Sequence, residues 1–309
     1  MATHGEIAIA PHRFAYGYYR QTWWNWLIGT AFFCGGLGAG LFLVSLATGE
    51  PVGMIAGWLL VTVGKNTAHL FYLGRPERFW RAAMRPDRSW IARGIWASGF
   101  FAVAGFLCFA PHVFGPAWQL SGAAAAAVQG VAALSALFIM FYDGFVMNSS
   151  GAIPFWNSAL LPLLVLLYAS LGGTTLSLLL RAVTGGGQEH MAWLALQEKW
   201  LLVGNALLLA AYLYSMSRWR PAARETVRML LRGRFAWAFL GLVLAIGLGA
   251  TLLLTFAAER FRSEALLPVI AICELTGDFT LLIVWLKSGL FSPQTAPHPL
   301  STSSQQESA

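Results

Sequence analysis

Eight apolar runs of about 20 residues, the length at which an α-helix crosses a bilayer, limit what this chain can fold into more than any other feature. They fall approximately at 23 to 48, 51 to 73, 91 to 112, 122 to 147, 153 to 181, 193 to 216, 235 to 258 and 265 to 290. A backbone in hydrocarbon has no water to bond to, so segments of this length satisfy their polar groups as helices. The fold class that follows is an all-α integral membrane protein of eight transmembrane helices, expected as two packed four-helix bundles with both termini on the same side. Composition agrees: 57 % of residues are hydrophobic and 11 % charged, with mean hydropathy +0.62, against roughly 25 % charged in soluble domains.

The net charge of +7 is read as topology and not as affinity for nucleic acid, because the arginines sit in short loops between apolar runs. The side that receives the termini carries 15 of the 20 Lys and Arg, the opposite side 4, and Lys65 lies within a span. By that asymmetry the termini are expected to be cytoplasmic. Residues 1–21 form a polar N-terminal segment without the apolar core of a cleavable signal peptide, so the first span is expected to direct insertion. Residues 22–291 form the membrane domain, with basic loops at 74–90 and 217–234, and residues 292–309 read as a disordered tail. Cys34, Cys108 and Cys273 lie in apolar segments without a CxxC spacing, which implies no disulfide framework, zinc site or iron–sulfur cluster in this chain.

Small residues recur at helix-packing intervals, Gly36 with Gly40 and Gly53 with Gly57. Pro154 and Pro162 are expected to open the fifth span, and Gly172 and Gly173 to loosen its second half, with Thr174 and Thr175 satisfying freed backbone groups. The basic segment from Arg218 to Arg234 is expected to lie along the membrane surface, with Trp219, Val227, Met229, Leu230 and Leu231 in the interface.

The stretch from Lys65 to Trp96 concentrates the chemistry. Lys65 and His69 are one helical turn apart, with Tyr72 on the same face, and a basic, proline-punctuated loop follows with Arg75, Arg78, Arg81, Arg85, Arg88 and Arg93. Ionisable groups at membrane depth are costly and mark function unless they are paired. Asn25, His69, Tyr72, Trp90, Arg93, Tyr142, Asp143 and Asn148 all fall near the span ends on the side of the termini, and the opposite ends offer nothing so dense. Each has a structural alternative: Asn25 as a helix cap, His69 as an interhelical hydrogen bonder, Arg93 as a snorkelling side chain. Glu274 and Asp278 are one turn apart in the eighth span at a depth similar to Lys65, and an ion pair between Lys65 and one of them is expected, as a helix clamp or as a proton relay.

The run HLFYLGRPERFWRAAMRP followed by SWIARGIW resembles the signature of the NrfD/polysulfide reductase membrane-anchor family, and the opening WWNWLIGTAFFCGGLGAGLFLVS is similar to that family's first helix. The resemblance implies a quinone-reactive subunit of an oxidoreductase complex in the inner membrane of a prokaryote, not itself catalytic towards the soluble substrate. It implies menaquinone or ubiquinone, no redox metal of its own, and two partners on the side of the termini: a four-cluster ferredoxin-like iron–sulfur subunit and a molybdopterin catalytic subunit. Asn25 and Tyr142 sit where the family places partners of the quinone ring. One turn after Asn25 the family often has a polar residue; here it is Gly29, and His69 is the candidate for that role.

The candidate quinone-binding residues are therefore Asn25, His69, Tyr142 and Arg93, and the candidate proton relay is Asp143, Lys65, Asp278 and Glu274. The competing class is an ion-coupled transporter or ion-conducting protein, which would use the same buried charges. A passive anchor without a quinone site is the third. Of His4, His12, His69, His112, His190 and His298, only His69 lies clearly within a span, too few for an axial pair on facing helices. A reduced-minus-oxidised spectrum of the purified chain is therefore expected to lack a b-type haem band.

Overall fold

The computed structural model describes residues 18–185 and 190–292. The N-terminal segment as far as residue 17, with His4, His12 and Arg13, and the tail from residue 293, with His298, lie outside the described residues. The described chain is helical, with no strand beyond a single bridge between Arg20 and Leu290. The helices are α1 (Trp26–Ala47), α2 (Pro51–Leu59), α3 (Asn66–Tyr72), α4 (Trp90–Phe114), α5 (Gly122–Asn148), α6 (Leu160–Thr184), α7 (Met191–Arg218), α8 (Pro221–Leu231), α9 (Thr251–Phe261) and α10 (Leu267–Ser288). Residues Leu60–Lys65 join α2 to α3 as a π-helix, and Trp237–Ala250 lead into α9 in the same way.

Seven helices among the described residues are long and apolar enough to cross a membrane. The remaining expected span, the second, at 51 to 73, is continuous in backbone, but its pitch widens at Leu60–Lys65, leaving two short α-helices. Leu134 and Leu207 are exposed near the middle of their helices and Leu253 in the first turn of α9, positions that suit apolar surroundings. The expected fifth span begins later than its apolar run: residues 149–159 form turns, pinned by Asn157 Nδ2 donating to the Asn148 carbonyl at 3.0 Å, and α6 starts at Leu160. Pro154 cannot donate to a helical ladder, and Phe155 and Trp156 are buried beside it in the core.

α1 is the central element, with 67 % of its apolar window buried, the largest share of the seven. Its glycines make this possible. A Cβ at Gly40 would lie 2.1 Å from the Ala169 carbonyl oxygen, and one at Gly173 would lie 2.3 Å from the Gly40 carbonyl carbon. On another face, a Cβ at Gly57 would lie 2.5 Å from the Gly38 oxygen, so α2 presses equally close. Small residues allow this backbone approach where lipid offers no hydrophobic drive for association. Gly172 and Gly173 thus do not loosen α6, which runs unbroken; they are cut away for its neighbours.

The basic segment also departs from expectation. α8 turns Ala222, Ala223, Thr226, Val227 and Leu230 into the protein core, and Thr226 Oγ1 donates to the Ser288 carbonyl at 3.1 Å. Val227 and Leu230 therefore pack on the chain's own helices, whereas Trp219 and Leu231 stay exposed. At the same end Gln21 N donates to the Gly289 carbonyl at 2.9 Å and Phe291 N to the Tyr19 carbonyl at 2.8 Å, joining the two ends of the described chain. Trp24 stacks on Trp156 at 5.0 Å, and Trp156 Nε1 donates to the Trp285 carbonyl at 3.1 Å.

The α1–α6 crossing is the place to test this account. Gly173→Val is expected to lower the unfolding free energy by about 3 kcal/mol, read as a lower midpoint in detergent-denaturant titration, while Gly130→Val, where a Cβ meets nothing within 4 Å, is expected to leave it unchanged.

Candidate functional site

The polar site starts from the change of pitch in the second apolar run. Lys65, the last π-helical residue, is buried, and its alkyl chain runs over Gly35 of α1, where a Cβ would meet Lys65 Cδ at 3.0 Å. Its amine donates to Ser98 Oγ of α4 at 3.0 Å and sits 5.0 Å from the centroid of the Tyr142 ring of α5. Asp143, next to Tyr142 and also buried, is the charge that acts on Lys65, and its Oδ1 has no hydrogen-bond partner.

One turn on from Lys65, His69 is half-buried, and its Nδ1 lies 3.0 Å from the Lys65 carbonyl. A carbonyl can only accept, so Nδ1 carries the hydrogen and the neutral ring presents Nε2 as an acceptor. The imidazole packs near Phe32, ring centroids 6.3 Å apart.

Phe32 also lines a narrow apolar cavity of about 40 Å³ between α1, α5, α6 and α10. Met147, one turn beyond Asp143, and Leu161, Leu281 and Trp285 form other parts of its wall. Asp278, Tyr168 and Trp285 bring polar groups to its wall, and the Tyr168 hydroxyl is buried without a hydrogen-bond partner.

The loop motif builds the side of this site from below. Ser89 caps α4, its Oγ accepting from Ala92 N at 3.2 Å. Trp90 stacks on Phe145 with ring centroids 4.4 Å apart and planes at 9°, fixing α4 on α5. Arg93 donates through Nε to the Pro86 carbonyl at 2.8 Å and through Nη2 to the Asp87 carbonyl at 3.0 Å, with its guanidinium 4.5 Å from the Trp90 centroid. Gly94 leaves room for the Tyr142 ring, since a Cβ there would lie 2.3 Å from Tyr142 Cε2.

His69, Tyr142, Asp143 and Lys65 therefore come together. Asn25 and Arg93 take other duties: Asn25 Oδ1 caps α1 by accepting from Leu27 N at 2.9 Å, and Arg93 holds the loop. The position one turn after Asn25, Gly29, is packed against α10, where a Cβ would meet Ile283 Cδ1 at 2.3 Å.

The expected pair of Lys65 with Asp278 or Glu274 does not form. α1 stands between them: Gly35 faces Lys65, while Gly36 and Leu37 line the cavity that holds Asp278. Glu274 instead contacts the Thr175 hydroxyl, which also donates to Glu198 of α7 at 2.7 Å. Towards the end where α7 and α10 begin there is thus a buried carboxylate cluster, denser than the expected sparse set of polar groups on that side. Thr174 does satisfy the backbone of its own helix, donating to the Ser170 carbonyl at 2.8 Å, but Thr175 does not. Ser98, Tyr168 and Glu198 were not singled out in the sequence, and Thr175 only as a backbone partner; of these, Glu198 carried a signal, a carboxylate inside an apolar run.

The family model for polysulphide reductase, NrfD, matches residues 16–293. The chain belongs to the NrfD family. NrfD proteins are membrane anchors of oxidoreductase complexes and typically pair with iron–sulfur and molybdopterin subunits. No curated protein matches the chain. The HLFYLGRP and SWIARG elements of this NrfD protein are, in the structure, the loop and cap that seat Tyr142 beside Lys65.

Removing the Arg93 clamp is expected to free the loop. Arg93→Gln loses two hydrogen bonds to carbonyls, and tryptic cleavage after the exposed arginines 75–88 is expected to quicken by about tenfold, on the order of 1.4 kcal/mol of local opening.

Proposed function

We propose that this NrfD protein is the quinone-reactive anchor of a multi-subunit oxidoreductase, exchanging electrons between menaquinone or ubiquinone and an iron–sulfur subunit, with a molybdopterin catalytic subunit beyond it. The observation that carries the reading is the convergence of Lys65, His69, Tyr142 and Asp143 beside an apolar cavity, at the end of the bundle where the family loop lies. Eight crossings, counting Pro51–Tyr72, would leave both termini on one side, in keeping with the backbone bonds between residues 19–21 and 289–291. The exposed Arg75, Arg78, Arg81, Arg85 and Arg88 give that side a basic surface suited to an acidic partner, and the charge asymmetry orients it to the cytoplasm.

Quinol oxidation releases two electrons and two protons, so the site must accept hydrogen from two hydroxyls. His69 Nε2 is oriented to take one, because Nδ1 is held by the Lys65 carbonyl. The unpartnered Asp143 Oδ1 can take the other, and Lys65 beside it supplies positive charge to offset the negative charge that develops on oxygen. The narrow apolar cavity, walled by Phe32, Leu161, Leu281 and Trp285, suits part of an isoprenoid tail and disfavours water. Asn25 and Arg93 then act by positioning α1 and the loop. The ion-coupled transporter reading draws on Glu198, Glu274 and Asp278, which lie across α1 from this cluster.

The test is quinol-dependent turnover of the intact complex. His69→Ala is expected to reduce it by about 100-fold, the usual size of a lost general base, and Tyr142→Phe by a smaller factor. Unchanged turnover in both variants would refute the reading.

A further inference from the structure

The carboxylate cluster on the far side of α1 is not used by the proposed quinone chemistry. Glu198 of α7 and Glu274 of α10 are fully buried and meet at one hydroxyl, that of Thr175 on α6. That hydroxyl has a single hydrogen to give. Two ionised carboxylates would leave one of its contacts as oxygen lone pairs facing each other. A second hydrogen satisfies both contacts, and the surroundings say where it sits. Glu198 also accepts from Thr255 Oγ1 of α9 at 3.3 Å, so both of its oxygens act as acceptors. Glu274 then donates to Thr175, which donates to Glu198.

An independent observation points the same way. Glu274 Oε1 is buried and has no partner, and it lies against the face of α6 where Gly172 packs on Leu37 of α1. Asp278 Oδ2 lies at the same glycine: a Cβ on Gly172 would lie 2.8 Å from Leu37 Cδ1, 3.5 Å from Asp278 Oδ2 and 3.7 Å from Glu274 Oε1. Beyond Asp278 lies the apolar cavity with the unpartnered Tyr168 hydroxyl. On the other side Glu198 borders an open basin of about 690 Å³, which is also lined by Lys199, Thr255, Glu259, Arg262 and Glu264. Lys199 and Glu259 are ion-paired at 2.7 Å at its rim.

We propose that Glu198, Thr175 and Glu274 form a proton-binding site that loads from this basin, with Glu274 holding a proton at rest and Asp278 as its next acceptor. Transfer along it is balanced. The proton that Glu274 holds turns away from Thr175 and passes to Asp278; the Thr175 hydroxyl then turns its hydrogen from Glu198 to the vacated Glu274 oxygen and gives it up there as it takes from Glu198 a proton that has entered from the basin. One proton enters, one leaves towards the cavity, and Thr175 is unchanged. The groups that set the charge here are Glu198 and Lys199 on α7, Glu259 on α9, Glu274 and Asp278 on α10, and Tyr168 on α6.

The site does not depend on quinone, so it is tested without turnover, by infrared spectroscopy of the full chain in nanodiscs at pH 7. A carboxylic-acid carbonyl band is expected that shifts promptly in heavy water and is lost in Glu274→Gln. Thr175→Val is expected to shift the band, and Thr175→Ser to restore its position, which separates the hydrogen bond from any general effect on folding. The proposal fails if Glu274→Gln leaves the band unchanged, or if the band vanishes when sodium is added to sodium-free buffer, which would give the cluster to a metal cation.

Discussion

The structure depends on how closely α1 can be approached. In lipid, burying apolar surface between helices gains little over leaving it against acyl chains, so association rests on close van der Waals contact. α1 meets this demand on two faces at once, with Gly36 and Gly40 against Ala169 and Gly173, and Gly38 against Gly57. Larger residues at these crossings would push α2 and α6 outward. The same close packing gives α1 its second role. Because it has no bulk on either face, polar side chains of its neighbours can reach it from opposite directions, and it keeps them apart.

Two buried ionisable groups of residues are the result. On one side Lys65, His69, Tyr142 and Asp143 gather near the end where the described chain begins and finishes; on the other, Glu198, Glu274 and Asp278 gather around Thr175 and Gly172. Charges at this depth persist only with partners, which accounts for the hydroxyls of Ser98, Thr175 and Thr255 among them. The apolar cavity touches both groups, through Phe32 and Met147 on one side and Asp278 on the other. Redox chemistry that releases protons at the first group therefore has a carboxylate within the same cavity wall.

The family signature has a physical reading as well. Ser89 is a cap, Trp90 a stacking surface, Arg93 a clamp on two carbonyls, and Gly94 a space for the Tyr142 ring. None of the four need touch a substrate. Together they fix the start of α4 against the end of α5, so that Tyr142 and Asp143 face Lys65. Mobility in the loop would otherwise pass directly to the residues proposed to handle protons.

The sequence alone determined the class of fold, because runs of about 20 apolar residues leave the backbone no choice but helix, and it determined the family through one loop. It also marked Lys65, His69, Tyr142 and Asp143, since ionisable residues in apolar runs are rare enough to notice. Tertiary structure decided the pairings. Lys65 and Asp278 have similar depth, but depth is one coordinate; the direction in which each side chain points around its helix is another, and a π-helical stretch at Leu60–Lys65 rotates it in a way no periodicity reveals. The carboxylate site was hidden for the same reason. Glu198, Thr175 and Glu274 belong to three separate helices, and only the crossing angles set by small residues bring their oxygens to one hydroxyl.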